Sequence, residues 1–353
     1  MAERNLRSDR FLRALDEYSK VVIITHDTPD PDAIASGWAL LSLAGELLKK
    51  PVRLIGGGAI VRAENVYMVQ LLKPPIELVD HFVPDDETAA VLVDCSAEGA
   101  NQLLGNGSAK PVAVIDHHKP QGRRVRVRFR DIRPRFAASA TIVASYLREQ
   151  GVQPSKELAT ALMYAVRTEV IGTPVRFTRS ERSIVTWLSS HVDHQILERI
   201  ENASLKHEYF EDLILAICGT FVYGDVAVSF LYSAHSPEIV GEVADLLIRY
   251  EAVKRVLCGA VVGRDLVCSA RTREGGGDAV ALLRSTLKGL GNCGGHPNRA
   301  GGKIHSEAKE GSPGPGITKE MIDEVKARWL KACEADGSRG VRLVARREIV
   351  DVL

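Results

Sequence analysis

The sequence predicts an α/β protein: a parallel-sheet N-terminal domain followed by a second, smaller α/β domain. Three observations carry this reading. Short apolar, β-branched runs at 21–24, 52–55, 89–93 and 112–115 alternate with segments of helical periodicity, the pattern that right-handed crossovers convert into a parallel sheet. Three of these runs lead directly into acids and imidazoles, where an open α/β sheet places its chemistry. A fresh set of strand-like and helical segments begins at Val226, and 353 residues suffice for two separate cores.

The bulk composition narrows the functional classes. Apolar residues make up 45% and charged residues 26%, as in an ordinary globular protein, and the net charge of +1 offers no global field for duplex nucleic acid or an anionic membrane. The six cysteines are scattered without a Cys-x-x-Cys pair, which argues against a zinc ribbon or disulfide framework and for a reducing compartment. The charged first twenty residues lack the apolar core of a signal peptide, and no run approaches about 18 apolar residues. The expectation is a cytoplasmic protein without a membrane span.

Phe11 to Lys20 reads as a short amphipathic helix ahead of the first strand. After Val21–Ile24 a loop holds His26, Asp27, Asp30 and Asp32 within seven residues, and from Ala33 a helix runs to about Lys50. Asp32 can be read as that helix's cap, Pro31 as a stiffener of the turn and His26 as an exposed side chain; the alternative is a site. The second strand ends in Gly56-Gly57-Gly58, which lacks the Lys-Ser/Thr of a P-loop and reads as a tight turn. Glu64–Lys73 is helical. The strand 89–93 ends in Asp94, and the strand 112–115 ends in Asp116-His117-His118. One acid after a strand is usually a cap; three such sites in one sheet, two with histidine, are not. Clustered carboxylates repel unless protons or cations intervene, so a polycation is the economical inference.

Arg123–Arg135 alternates arginine with Val125, Val127 and Phe129. That suits a strand with one basic face, either an edge protected by charge or a phosphate-backbone track. A helix from about Ser139 to Gln150 follows. The apolar helix 158–170 carries Glu169 near its end, able to pair with Arg167 or Arg176 or to face the acid cluster. Ser180 to about Leu215 reads as a helical connector. In the second half, strands at 226–232, 256–262 and 266–270 enclose a helix at 237–250, with Arg271 and Arg273 at the last strand's end. The helix 278–290 leads into GNCGGHPNRAGGK, residues 291–303, either a plain glycine loop or one whose backbone N–H groups approach an anion. GSPGPG at 311–316 is a spacer. An apolar stripe at Ile322, Val325, Trp329, Leu330 and Cys333 marks a last helix, and 339–353 could form a final strand. These segments divide the chain into a catalytic domain at 1–192, a connector at 193–217, a second domain at 218–310 and a C-terminal helix and tail at 311–353.

His26-x-x-x-Asp30-x-Asp32, Asp94, Asp116-His117-His118 and the Gly294-Gly295-His296 loop, in this order, resemble the DHH/DHHA1 phosphoesterase superfamily over about residues 20–304. Length and domain order are most similar to the short bacterial oligoribonucleases that also dephosphorylate 3′-phosphoadenosine-5′-phosphate. The resemblance implies a parallel-sheet DHH domain, a smaller mixed-sheet DHHA1 domain, and an active site in the cleft between them.

It also implies two divalent ions, usually Mn²⁺, with Mg²⁺, Co²⁺ or Zn²⁺ compatible with a donor set free of thiolate. By motif position His26, Asp30 and Asp94 hold one ion. Asp32, Asp94, His117 and a fourth-motif acid hold the other, with Asp94 bridging. That fourth acid is usually an Asp followed by Thr; here Glu169 stands in its place, one methylene longer. Water activated between ions roughly 4 Å apart would attack phosphorus in line. His118 would assist, and Asp116 would orient one of the paired histidines. Arg271, Gly294, Gly295, His296, Asn298 and Gly301 would grip the substrate. The implied substrates are short single-stranded RNA or a small nucleotide, not duplex DNA, and a homodimer is compatible with the resemblance. Cyclic or linear dinucleotide hydrolysis, and a catalytically silent nucleotide-binding protein, are the alternative readings.

Overall fold

The computed structural model describes residues 6–99, 101–105, 109–119, 125–170, 177–306 and 316–344. Two compact units divide at 204/205.

In unit 1 the elements are α1 (Arg7–Leu15), β1 (Lys20–Ile24), α2 (Pro31–Leu48), β2 (Val52–Gly56), α3 (Ala63–Leu72), β3 (Ile76–Leu78), β4 (Thr88–Val93), β5 (Ala113–Asp116), β6 (Phe129–Ile132), α4 (Ser139–Gln150), α5 (Lys156–Val170), α6 (Arg179–Ser189) and α7 (His194–Glu201). The sheet has the order β3-β2-β1-β4-β5-β6 and every pairing is parallel. The chain leaves β1 toward β2 on one side and later returns to β4 on the other, so the order reverses between β1 and β4. At such a switch point the carboxyl ends of the strands face an open crevice. All six residues of β4 are buried, as a near-continuous apolar strand in a two-sided parallel sheet requires. One face packs on α2, α4 and α5 through Ile23, Val91, Leu40 and Ile142. The other carries a smaller cluster of Val22, Ile24, Ile55, Leu92 and Val114, against which Phe82 and Leu103 pack. Gly37 lets α2 approach β2: a Cβ there would stand 2.3 Å from Leu54.

Unit 2 contains α8 (His207–Cys218), β7 (Phe221–Tyr223), β8 (Val226–Leu231), α9 (Glu238–Leu247), β9 (Arg255–Val262), β10 (Asp265–Thr272), α10 (Ala279–Leu287), β11 (Asn292–His296), β12 (Arg299–His305), α11 (Lys319–Ala332) and β13 (Val341–Arg342). Its sheet, β11-β12-β10-β9-β8-β7-β13, is mixed, with β8–β9 parallel and the other pairs antiparallel. Trp329, Val325 and Ile322 fill one face together with α10, while α9 covers the other. The α/β class, the parallel N-terminal sheet and the mixed second sheet agree with the expectation.

Several local expectations change. The first helix lies at Arg7–Leu15 and ends before Tyr18. The alternating arginine run is a strand only over Phe129–Ile132, at the sheet edge; Arg123 and Arg124 lie outside the described residues. The stretch 180–215 is three helices, of which α6 and α7 place Ile184, Leu188, Leu197 and Ile200 in the core of unit 1, while α8 belongs to unit 2. The glycine-rich segment 291–303 is a hairpin, β11 paired with β12 around Pro297-Asn298, because glycines accept cross-strand pairing as readily as turns when a neighbouring strand supplies the ladder. The final strand is two residues long; most of the 311–316 spacer and 345–353 lie outside the described residues. Among the described residues no helix is long and apolar enough to cross a membrane.

Candidate metal centre

The carboxyl ends of β1, β4 and β5 deliver the residues in question. Asp94 follows β4 directly and is almost wholly buried. Its φ of +56° lies in the left-handed region, a conformation that costs a non-glycine residue on the order of 1 kcal/mol or more and persists only where surroundings impose it. Its two oxygens face different ways. Oδ1 stands 3.6 Å from His117 Nε2 and 3.7 Å from His118 Nδ1; Oδ2 stands 3.8 Å from His26 Nε2. His26 Nε2 is also 3.7 Å from Asp30 Oδ1, and His117 Nε2 is 3.7 Å from Asp32 Oδ2. Two trios, Asp94–His117–His118 and His26–Asp30–Asp94, have their ligand atoms within 4.8 Å of one another.

These separations exceed hydrogen-bond length but match donors around a shared ion, since two donors each roughly 2.1 Å from a metal stand about 3.0–4.0 Å apart. The imidazoles are oriented for that use. His26 Nδ1 meets the Asp27 carbonyl at 2.9 Å, and His117 Nδ1 meets the Phe136 carbonyl at 3.3 Å. Each carbonyl accepts a hydrogen bond from Nδ1 and aims Nε2 toward Asp94, the usual support of a metal-binding imidazole. Asp116 holds His118, accepting from its backbone N–H at 3.0 Å and its Nδ1 at 2.8 Å. Of the two histidines Asp116 was expected to orient, it takes the second.

Asp30, not Asp32, caps α2: Oδ1 accepts from the Ala33 N–H at 3.0 Å. Asp32 caps a different helix. The start of α4 has no side-chain cap of its own, and Asp32 accepts from the Ser139 N–H at 2.8 Å and the Ala140 N–H at 2.7 Å, one on each oxygen. The Ser139 hydroxyl donates to Asp94 Oδ1 at 2.9 Å. Behind this turn lies the fully buried Glu181, which accepts from the Ala137 N–H at 2.6 Å and the Thr178 N–H at 2.8 Å. Sequence reading missed Ser139 and Glu181. The only signal was a small-residue run before a helix, which names no partner a hundred residues away.

The electrostatics follow from crowding acids out of water. Burial, then the charges of Asp32, Asp30, Asp116 and Glu169, push the Asp94 carboxyl well above the usual range. Burial raises Asp32 as well, against His117 and its two amides. Burial also acts to raise Asp30, but His26 and the Ala33 amide hold it below the usual range. His26 is pushed up to about 9: burial opposes the shift, and the Asp30 carboxylate beside it overcomes burial. With no cation present a proton on His26 does part of a cation's work, so the donor set fits a divalent ion.

Glu169 lies in the last turn of α5, half-buried, outside both trios. Its charge nevertheless contributes to raising both Asp94 and His118. Cys95, next to Asp94, is a buried thiol pushed far up by burial and the nearby acids, and its Sγ lies 3.9 Å from the Ile24 carbonyl.

Residues 20–166 match the DHH family, N-terminal domain. The DHH-matching region contains His26, Asp30, Asp32, Asp94, Asp116, His117, His118 and Ser139. Over 290 residues the chain is 29% identical to an uncharacterized protein of Methanocaldococcus jannaschii, covering 82% of this chain and 59% of that one. It is 29% identical over 158 residues to a manganese-dependent inorganic pyrophosphatase of Methanothrix thermoacetophila, 43% of this chain and 47% of the relative. The chain thus spans about half to three fifths of the length of these curated relatives. A crystal structure of an exopolyphosphatase-related protein from Bacteroides fragilis shares the fold, with a TM-score of 0.70 and 18% identity over 93% of this chain and 96% of that one.

The residues expected to grip substrate belong to unit 2. Gly294, Gly295 and His296 lie in β11, Gly301 in β12, and Asn298 in the turn between them, its carbonyl accepting from the Thr272 N–H at 3.0 Å. Arg271 is buried with all five N–H groups engaged: Asp245 takes two, at 2.6 and 3.2 Å, and Ser269 Oγ, the Ala270 carbonyl and the Gly241 carbonyl take the others. An anion reaching Arg271 would have to displace Asp245. In unit 1 three arginines of the run are paired with acids, Arg128 with Glu17, Arg130 with Glu98 and Arg133 with Asp131, while Arg126 and Arg135 are exposed.

Proposed function

We propose that this chain is a divalent-metal-dependent phosphoester hydrolase acting on short oligoribonucleotides and on 3′,5′-bisphosphonucleosides. The observation that carries it is Asp94, whose two oxygens address His26 on one side and His117 on the other, as a carboxylate shared by two cations would. Mn²⁺ suits the neutral-imidazole and carboxylate donors. In this reading His26, Asp30 and Asp94 hold one ion, and Asp32, Asp94, His117 and Glu169 the other. When bound, the ions supply an activated water and neutralise the phosphoryl oxygens.

The chain's own residues do the rest. The carbonyls of Asp27 and Phe136 fix both imidazoles, and the first turn of α4 fixes Asp32 and Asp94, so little reorganisation remains when substrate arrives. Asp116 holds His118, half exposed at the mouth of the site. Burial tends to lower His118, but Asp116 raises it, which favours the imidazolium form and lets the ring donate to a phosphoryl oxygen or to the leaving group. In the same reading the β11–β12 hairpin, with Gly294, Gly295, His296, Asn298 and Gly301, takes the substrate's phosphate or terminal nucleotide, and Arg271 joins it only by exchanging Asp245 for the anion.

A second reading, hydrolysis of phosphoanhydrides, is favoured by the match to a manganese-dependent inorganic pyrophosphatase. Product analysis decides: the full chain is stripped with chelator, reloaded with Mn²⁺, Mg²⁺, Co²⁺ or Zn²⁺, and given pApA, 3′-phosphoadenosine-5′-phosphate and pyrophosphate. The proposal expects AMP from the first two. Release of phosphate from pyrophosphate alone replaces it with the second reading, and turnover of none of the three removes both.

A further inference from the structure

Unit 1 contains a cavity of about 490 Å³ beside the candidate metal centre, at the carboxyl ends of β1, β2 and β3. It falls within the size range of small-molecule sites, roughly 300–1,000 Å³. One wall begins at Asp27, the residue after His26, whose carbonyl fixes that imidazole. Another includes Gln102, which bridges His26 through the backbone.

The lining has two characters. Phe82, Leu103 and Leu104 form an apolar side continuous with the cluster on the sheet face opposite α2. Asp27, Asp80 and His81 supply polar groups, and among the described residues no lysine or arginine lines the space. The glycine triplet after β2 makes this geometry possible. A Cβ on Gly57 would stand 2.1 Å from Asp27 Oδ1, and Gly58 takes a φ of +71°. The Gly57 carbonyl accepts from the Thr28 N–H at 2.8 Å, which draws the loop after β1 onto the loop after β2. Two carboxylates, with no lysine or arginine lining the space among the described residues, disfavour a polyphosphate there. They accept instead from hydroxyl or amino donors, and an aromatic and aliphatic side suits a flat heterocycle.

We infer that this cavity binds the nucleoside portion of the substrate. The inference rests on the phosphoester reading above and deepens it, because a nucleoside site selects nucleotides over inorganic polyphosphates. Adenosine isolates the question, having no phosphate for the metal centre. With the full chain kept in chelator, calorimetric titration should show saturable adenosine binding and none for pyrophosphate. Asp80→Lys, at an exposed position, should weaken adenosine at least tenfold with unchanged melting, and Phe82→Ala should weaken it as much with a small fall in melting, since Phe82 also packs on the sheet-face cluster. Absence of adenosine binding to the unsubstituted chain, or equal binding by both variants, overturns the inference. Hydrolysis of pApA is measured in parallel. Turnover without adenosine binding removes the cavity assignment and leaves the hydrolase; adenosine binding without turnover in any divalent ion does the reverse.

Discussion

The hydroxyl of Ser139 donates to Asp94 Oδ1 across 2.9 Å, joining the first turn of α4 to the acid at the centre of the site. Removing it takes away a hydrogen bond to a charged group and frees Asp94 to rotate. Ser139→Ala is expected to weaken Mn²⁺ binding by roughly ten- to a hundredfold, read by titration of chelator-treated protein, while Ser139→Thr restores most of the affinity. Equal affinities for all three would show that Asp94 needs no such support.

In the metal-free fold, burial and four neighbouring acids oppose ionisation of Asp94. Asp94→Asn should abolish turnover yet leave the metal-free protein at least as stable as the parent, because the neutral amide escapes the burial and the neighbouring acids that disfavour the carboxylate. Chemical denaturation in chelator checks this; a large loss of stability would mark Asp94 as a structural residue instead.

The metal-free protein should lose stability with rising pH. A histidine raised to about 9 in the fold, from about 6.5 when unfolded, contributes fully below pH 6.5, and that contribution disappears as pH climbs through 9. Asp94, raised in the fold, acts in the same direction. Melting temperature in chelator should therefore fall between pH 6.5 and 9, and saturating Mn²⁺ should flatten the profile by replacing the proton. A flat profile in chelator contradicts the assignment.

Glu181 is wholly buried and anchors the turn that precedes α4 by accepting two backbone N–H groups. Glu181→Ala leaves both donors without partners, and the expected cost is about 2–4 kcal/mol in urea denaturation. Metal affinity should fall with it, since the same turn aims the Ser139 and Ala140 amides at Asp32. Retention of wild-type metal affinity in the folded variant would separate the two effects and disprove the link.

Asp131 has the opposite sign. Burial works to raise its carboxyl, but Arg133 and the Tyr146 hydroxyl, at 2.6 Å each, hold it below the usual range. Its stabilisation is present above the unfolded carboxyl pKa of about 4 and is lost as pH falls through the lower folded value. Asp131→Asn should be less stable at neutral pH and should level off sooner on acidification, a difference visible in acid titrations followed by circular dichroism.

The sequence by itself determined the alternation of strand and helix and the carboxyl-end placement of His26, Asp94 and Asp116-His117-His118. Apolar period and β-branching are local properties, and the parallel crossover rule makes them sufficient for a sheet. Local reading failed where the deciding partner is distant or the pattern is degenerate. Glycines at 291–303 look alike in a loop and in the hairpin they form, and alternating arginines look alike on a groove and on the sheet edge at β6. Only the tertiary structure decided that Asp30 caps α2 while Asp32 caps α4, that Ser139 reaches Asp94, and that Arg271 is engaged by Asp245. Each is a hydrogen bond between groups far apart along the chain or between equivalent neighbours. One-dimensional spacing assigns no partner to a donor; burial does, by making every unpaired polar group expensive.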